Sequence, residues 1–248
     1  MFNPKTQKIS DLASKYPERI NELDTILNAS TKVYIDYANV RPWSERLKWH
    51  IYPKRVKQFL ESFSGLTSIK FYAGELKGDI DSETFIKEMQ YVFGQNLISK
   101  SVKIMNLSID VSSIPKNDPA ILKNFIRPPL LKKLTVQTIE LLNGELEKLN
   151  QQGTTTLEDR KCNFDVEIGT DMLLDLERNN TDVFILWSGD SDFADPISKI
   201  LSAGKKAYLF ATSRRVASEL NDLRANGLFI FDIQKIRDFI CWSREITS

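Results

Sequence analysis

The sequence predicts an α/β domain built on a mostly parallel central sheet with helices on both faces. Three observations support this fold class. Short apolar runs alternate with longer segments of helical periodicity, several apolar runs lead directly into an aspartate, and 42% of the 248 residues are hydrophobic. Alternating strands and helices are typical of βαβ units around a parallel sheet. A chain of this length and composition can bury a substantial core.

The elements are predicted in order from the N-terminus. Residues 9–28 place apolar side chains at helical intervals that Pro17 interrupts, which indicates two short helices or one broken helix that packs as an arm. Strands are then predicted at 33–35, 69–73, 102–107, 183–187, 207–211 and 228–231. Helices are predicted near 53–63, 82–96, 166–178, 194–203, 214–224 and 233–241.

One segment interrupts this alternation. Residues 112–160 contain an amphipathic stretch at 130–149, which is too long for a simple connection and predicts an inserted helix or helical hairpin. Residues 151–156 are typical of a flexible return. We therefore expect an N-terminal helical arm at 1–30 and a domain at 31–248 that carries the insertion. The insertion is also where we expect either the surface of a homodimer or an element of substrate specificity.

Charge, cysteine and histidine counts exclude several classes of protein. The net charge is +1, so any binding of nucleic acid has to come from local basic patches. Cys162 and Cys241 form no paired motif, which argues against a disulfide framework or a structural zinc site. The absence of an apolar run of about 20 residues predicts a soluble, cytoplasmic protein that makes no membrane contact. Since His50 is the only histidine, a two-histidine ribonuclease mechanism within one subunit is excluded.

The first candidate motif follows the first predicted strand. Asp36 ends that strand and Asn39 follows three residues later, so both side chains can face one oxygen-rich pocket. Mg²⁺ and Mn²⁺ prefer carboxylate, carbonyl and water oxygens. The alternative is an ordinary strand-to-turn junction in which Asp36 and Asn39 cap backbone groups.

A second motif follows the predicted strand at 183–187. Gly189 permits a tight turn, Ser188 can hydrogen-bond a carboxylate or a water, and Asp190 and Asp192 precede the next helix. Asp192 or Ser191 can instead cap that helix. Such a cap accounts for one acid and leaves Asp190 unexplained.

The third motif opens a predicted helix. Asp165 suits its start, and Asp171 lies about 9 Å farther along the axis and roughly 240° around it, so the two cannot occupy the same face. Either Asp165 binds a metal ion and Asp171 supports it, or the reverse; capping and solvent exposure are the alternatives for both. Asp175 is predicted to lie on a solvated face.

Together these motifs resemble the NYN domain family, and more narrowly its LabA-like branch within the PIN-like nucleases. The resemblance rests on Ile35-Asp36-x-x-Asn39-Val40, Asp165-Val166-x-Ile168-x-x-Asp171-Met172-Leu173 and Ser188-Gly189-Asp190-Ser191-Asp192-Phe193. It implies a three-layer PIN-like α/β fold and the cleavage of RNA phosphodiester bonds with Mg²⁺ or Mn²⁺. The metal ligands that it implies are Asp36, Asp165, Asp190 and Asp192. Asn39 and Ser188 are implied as polar support in the active site, and Asp171 as a further catalytic acid.

Basic and aromatic residues suggest where a substrate binds. Arg41 and Trp43 begin a basic, aromatic segment at 41–57 that can hold phosphates and stack an unpaired base, although its tryptophans can equally belong to the core. Lys205, Arg214 and Arg215 form a second basic group that surface solvation explains as well. Ser188 is a further candidate for substrate binding.

We therefore expect a metal-dependent ribonuclease, most simply an endoribonuclease, that acts on RNA and can also accept single-stranded DNA. The principal alternative is a nucleic-acid-binding adaptor that retains the nuclease fold without turnover. A small-molecule phosphatase of the aspartyl-phosphate type is the weaker alternative. That type requires a second aspartate two residues after Asp36, where this chain has Ala38.

Overall fold

The structure is a computed structural model that describes residues 1–47, 49–212 and 216–245, with the backbone alone at 45–47 and 242–245. Its α-helices are α1 (Gln7–Lys15), α2 (Pro17–Ile26), α3 (Tyr37–Leu47), α4 (Pro53–Leu60), α5 (Ile80–Phe93), α6 (Pro128–Leu131), α7 (Val136–Gln151), α8 (Asp165–Glu177), α9 (Ala194–Ser202), α10 (Ser218–Asp222) and α11 (Arg237–Ile240). Its strands are β1 (Thr31–Asp36), β2 (Trp49–Ile51), β3 (Leu66–Glu75), β4 (Leu97–Ser101), β5 (Lys103–Ser108), β6 (Thr156–Lys161), β7 (Val183–Trp187), β8 (Lys206–Ala211), β9 (Phe229–Asp232) and β10 (Cys241–Glu245).

Six parallel strands form the central sheet in the order β4-β3-β1-β7-β8-β9. The chain fills one side of β1 first, with β3 and β4, and then the other side, with β7, β8 and β9. The strand order therefore reverses between β1 and β7. In open parallel sheets this is the position where ligands bind, beyond the carboxyl ends of the strands. The predicted α/β fold class is confirmed.

The core explains why these segments form strands. β7 is buried along all five residues, and β1 is buried at five of its six positions. Strands covered by helices on both faces read as nearly continuous apolar runs rather than as alternating ones. Thus Val183–Trp187 is found where the sequence predicts it.

The third predicted strand, at 102–107, is wrong as a member of this sheet. The strand beside β3 is β4, whereas β5 pairs antiparallel with β6 in a separate two-stranded sheet. Two adjacent strands therefore stand where one was expected. β4 escapes sequence analysis because only Leu97 and Ile98 are apolar in it. β6 escapes it because the strand is polar and exposed at nearly every position.

The chain divides into two compact units. One comprises Met1–Ser101 with Cys162–Ser248, and the other is Val102–Lys161. The smaller unit contains β5, β6, α6 and α7, and buries a few apolar side chains that include Ile109 and Ile139. The Asn143 side chain within it donates to the carbonyls of Lys116 and Asp118, at 2.8 Å each.

The N-terminal arm packs on the core of the larger unit. Pro17 is the first residue of α2 and separates it from α1, as the sequence predicts. Leu23 and Leu27 are fully buried in the same core as the central strands. Gly65 lies close to this arm, because a Cβ atom on it would stand 2.2 Å from the carbonyl oxygen of Leu27. Among the described residues, no helix is both long and apolar enough to cross a membrane.

Candidate active site

Asp36 lies at the carboxyl end of β1, beside the point where the strand order reverses. It is 5% exposed. The hydroxyl of Ser188 donates to its Oδ2 at 3.1 Å and the backbone N–H of Asn39 donates to its Oδ1 at 3.3 Å. Burial nevertheless raises the pKa of Asp36 to about 6, since these hydrogen bonds offset only part of the lost hydration and Asp190 adds repulsion.

The turn after β7 approaches Asp36 because β1 and β7 are hydrogen-bonded neighbours. Ser188 is fully buried and accepts a hydrogen bond from the N–H of Asp190 at 3.3 Å while it donates to Asp36. The side-chain oxygen of Asn39 accepts from the N–H of Gly189 at 3.1 Å. Asn39 and Ser188 therefore link the junction of β1 and α3 to the turn after β7.

The cap of the turn after β7 is Asp190, and not Asp192 or Ser191 as the capping alternative predicted. Its Oδ1 accepts from the N–H of Asp192 at 3.3 Å and so caps the short 3-10 turn Ser191–Phe193. Its charge also contributes to the raised pKa of Asp36 and of Asp165. The side chain is only partly buried and Asp192 is exposed, so both acids are accessible to solvent.

Asp165 is the first residue of α8 and belongs to the same group of carboxylates. Partial burial raises its pKa to about 6 against a hydrogen bond from the Asn163 side chain that lowers it, and Asp190, Asp192 and Asp36 raise it further. The carboxyl of Asp192 lies within hydrogen-bonding reach of Asp165. The structure thus brings together four of the predicted acids, which we call the acid cluster: Asp36, Asp165, Asp190 and Asp192.

The chemistry of the acid cluster fits a divalent cation. Among the residues whose side chains are described, 1–44, 49–212 and 216–241, none of its four carboxylates forms an ion pair with a lysine or arginine. Repulsion between carboxylates is relieved by a divalent ion, and Mg²⁺ and Mn²⁺ prefer such oxygen ligands. In this same part of the chain, no three acidic, histidine or cysteine side chains converge closely enough to enclose an ion as they stand. The binding of one ion by three of these carboxylates would therefore require them to move closer together.

Asp171 and Asp175 lie farther along α8, outside the acid cluster. The hydroxyl of Tyr72 donates to Asp171 at 2.6 Å, and Lys70 pairs with the same carboxylate oxygen at 3.1 Å. The predicted exposure of Asp175 is wrong, because Asp175 is 1% exposed and pairs with Lys32 at 2.7 Å. It faces the sheet, where basic and phenolic groups of β1 and β3 compensate for its burial.

The predicted substrate-binding residues are placed differently from one another. Arg41 is exposed on α3, five residues after Asp36. Trp43 is 2% exposed and Trp49 is 3% exposed, so the core interpretation of these tryptophans applies and neither indole is free to stack on a base. The prediction that Trp43 binds the substrate is therefore wrong, because Trp43 is packed in the core.

Lys205 also differs from its prediction, because it precedes β8 and lies at the amino end of that strand. In a parallel sheet this is the edge opposite the acid cluster. Its ammonium pairs with Asp182 at 2.9 Å, just before β7. Arg214 and Arg215 lie outside the described residues.

Sequence analysis missed the residues that surround α8. Lys100, near the end of β4, forms an ion pair with Glu167 and lies 4.5 Å from the centre of the Phe164 ring. A Lys-x-Tyr pattern occurs in both β1 and β3, as Lys32-Val33-Tyr34 and Lys70-Phe71-Tyr72. This repeat indicates a shared polar face, since residues two apart on a strand point to the same side.

Comparison with known proteins bears on the fold and on the family of part of the chain. The sequence model of the NYN domain family matches residues 128–240, which include Asp165, Asp190 and Asp192 and exclude Asp36. A crystal structure of a protein of unknown function from Vibrio parahaemolyticus is similar to this fold, with a TM-score of 0.50 and 17% sequence identity. The similarity covers 86% of this chain and 95% of that one, and at this identity it bears on the fold alone. No protein of curated function matches the chain.

Proposed function

Residues 128–240 belong to the NYN domain family, which places them among the PIN-like proteins, and we propose that this protein is a ribonuclease that uses Mg²⁺ or Mn²⁺. The NYN domain indicates a nuclease-like function with nucleic acid as substrate. RNA as that substrate, single-stranded DNA as a second one, and endonucleolytic cleavage are our proposals. Assignment to the LabA-like branch and a homodimer through the insertion remain predictions.

One observation supports metal-dependent chemistry above the rest. Four carboxylates from three separate segments gather at the switch point of a parallel sheet, and the pKa values of Asp36 and Asp165 are both raised to about 6. Structural ion pairs normally hold acids ionised beside a base, whereas here the acids mainly face one another. Such an arrangement is suited to binding a cation.

In this proposal each residue of the site has a defined task. Asp36, Asp165, Asp190 and Asp192 would hold the ion, which when bound supplies activation of water and neutralises charge on the phosphate. Ser188 keeps Asp36 oriented and favours its ionised form through the 3.1 Å hydrogen bond. Asn39 fixes the Gly189 turn, and thereby the acids that follow it. Arg41, exposed close to this edge of the sheet, would contact a phosphate of the substrate.

The proposal is tested by incubating labelled RNA and DNA with the purified protein plus Mn²⁺ or Mg²⁺. Chelator and an Asp190→Asn variant serve as controls. We expect RNA cleavage that requires metal and falls at least about 100-fold in the variant, since one ligand and its charge are lost. Equal cleavage by both proteins would reveal a contaminating nuclease and refute the assignment. Binding of RNA without cleavage in either metal would favour the adaptor.

A further inference from the structure

A ladder of polar side chains joins α8 to the central sheet. Its members alternate along one face of two neighbouring strands and meet two acids one helical turn apart. We call this set the α8 ladder, and it consists of Lys32 and Tyr34 on β1, Lys70 and Tyr72 on β3, and Asp171 and Asp175 on α8. Both tyrosines are fully buried. Asp175 is buried as well, and a charged group at such depth is retained at a cost that needs an explanation.

The α8 ladder has two parts. The part that we call the lower half is centred on Asp175. Lys32 donates to its Oδ1 at 2.7 Å and the Tyr34 hydroxyl donates to its Oδ2 at 2.8 Å. Burial alone would raise the pKa of Asp175, but these two groups and Lys70 together hold that pKa below its usual value. Asp175 is therefore ionised and satisfied in both oxygens.

The upper half is centred on Asp171. Tyr72 donates to its Oδ2 at 2.6 Å, and the Lys70 ammonium lies 3.1 Å from the same oxygen and 3.7 Å from Asp175. Lys70 thus bridges the two acids. Burial raises the pKa of the Tyr72 phenol well above its usual range, so its hydroxyl stays protonated and donates to Asp171.

The upper half reaches the acid cluster through Tyr72. Tyr72 is the register partner of Asp36 across the β1–β3 pair. Its ring also packs on Phe164, with ring centres 5.9 Å apart, and Phe164 directly precedes Asp165. Tyr72 therefore contacts Asp171 within α8 and Phe164 directly before the helix, and it stands beside the strand position that carries Asp36.

The position of α8 along its axis decides where Asp165 lies, because each residue of a helix advances about 1.5 Å. Apolar side chains such as Ile168 and Met172 also bury this helix, but apolar contacts are not directional and tolerate small shifts. Hydrogen bonds between fixed donors and acceptors do not tolerate them. The α8 ladder is thus suited to fix the axial position and rotation of the helix.

We propose that Asp171 and Tyr72 are positioning residues that hold the first turn of α8 so that Asp165 faces Asp36, and that Asp171 does not itself bind the metal ion. The expected effect on metal binding rests on the proposed function. The positioning of α8, by contrast, can be measured in the metal-free protein. In this proposal Asp171, the second acid of the motif, binds Tyr72 of the sheet rather than the metal ion.

The test compares two substitutions at one position. Asp171→Asn keeps an oxygen that accepts from Tyr72, whereas Asp171→Ala removes it and Tyr72→Phe removes the donor. We measure the Kd for Mn²⁺ by calorimetry, with Asp165→Asn as the variant that loses a proposed ligand. Loss of a supporting partner weakens metal binding by roughly 10–100-fold, so we expect this for Asp171→Ala and Tyr72→Phe. For Asp171→Asn we expect a change below about 3-fold.

Hydrogen exchange provides a readout that needs no metal. The amide of Ile168 is bonded to the Phe164 carbonyl at 2.8 Å and reports on the first turn of α8. We expect Tyr72→Phe to speed its exchange at least about 10-fold relative to amides of β7, because the turn loses its anchor. Tyr208→Phe, on β8 and outside the α8 ladder, is the matched control and should leave this ratio unchanged.

The outcomes separate this inference from the proposed function. If the wild-type protein binds no Mn²⁺, the proposed function fails, and hydrogen exchange alone decides on the α8 ladder. If Asp171→Asn weakens Mn²⁺ binding as much as Asp165→Asn does, Asp171 is a ligand and the inference is overturned. Unchanged exchange at Ile168 in Tyr72→Phe overturns it as well.

Discussion

At the scale of single residues, the charge of Asp36 is set by two opposing effects. Burial favours its protonated form, and hydrogen bonds from Ser188 and the Asn39 amide favour its ionised form. The balance leaves its pKa at about 6. The carboxyl of Asp36, a proposed metal ligand, therefore gains its charge near pH 6.

Replacing Ser188 by alanine should move this balance. The substitution removes the donor to Asp36 and raises the pKa of the carboxyl, because a hydrogen bond to a charged group contributes about 1.5–3 kcal/mol. We expect the pH midpoint of Mn²⁺ binding to rise by about one unit. The measurement is the Kd for Mn²⁺ from pH 5 to 8. Ser191→Ala, three residues along the same turn, should leave the midpoint where it is in the wild type.

The same carboxyl predicts how the stability of the metal-free protein depends on pH. The folded pKa of Asp36, about 6, lies above the value of about 3.9 in an unfolded chain. The folded state then binds the proton more tightly, so its stability increases as the pH falls from 7 towards 5. We expect a gain of about 1 kcal/mol from this group, and none from it in Asp36→Asn.

Urea unfolding in chelator at pH 5 and pH 7 measures this difference for both proteins. An identical pH dependence in wild type and Asp36→Asn would show that Asp36 titrates normally.

At the scale of elements, α8 marks the limit of what helical periodicity predicts. The pattern identified the helix and its start at Asp165, but it assigned Asp175 to a solvated face, and aspartates are indeed mostly exposed unless they are paired. The partners that permit its burial come from strands more than 100 residues earlier in the chain. A one-dimensional pattern does not contain that pairing.

The junction between the N-terminal arm and β3 gives a prediction with a matched control. A Cβ atom on Gly65 would lie 2.2 Å from the Leu27 carbonyl oxygen and 2.5 Å from that of Ala29, so backbone has to move. We expect Gly65→Ala to destabilise the protein by at least about 2 kcal/mol. Gly144 in α7 has open space at this position, and Gly144→Ala should be neutral or stabilising by up to about 1 kcal/mol.

Thermal unfolding of both variants measures these effects. A similar melting temperature for Gly65→Ala and Gly144→Ala would contradict the close packing of the arm on β3.

At the scale of the whole molecule, the sequence predicts the fold class and the acids but not the arrangement of their surroundings. Asp36 and Asp190 follow buried strands, so parallel pairing of β1 with β7 was enough to bring them together. Lys205 was predicted to bind substrate, but it directly precedes β8 and so lies at the edge of the sheet opposite the acid cluster. The burial of Trp43 depends on tertiary packing, for which composition alone gives no sign.

The family match covers only part of the candidate site. The family match begins at residue 128, inside the unit Val102–Lys161, and Asp36 lies outside the match altogether. The site therefore depends on the fold of residues that the family comparison does not reach. The pairing of β1 with β7 and the hydrogen bond from Ser188 to Asp36 join Asp36 to the matched residues.

The central claim is that Asp36, Asp165, Asp190 and Asp192 together hold a divalent ion. Crystals grown with Mn²⁺ and measured by anomalous diffraction test it most directly. We predict an anomalous peak within about 2.0–2.6 Å of carboxylate oxygens from at least three of these residues, with Asp171 still bonded to Tyr72. A peak at Asp171, or none at the acid cluster in crystals saturated with Mn²⁺, would contradict the account.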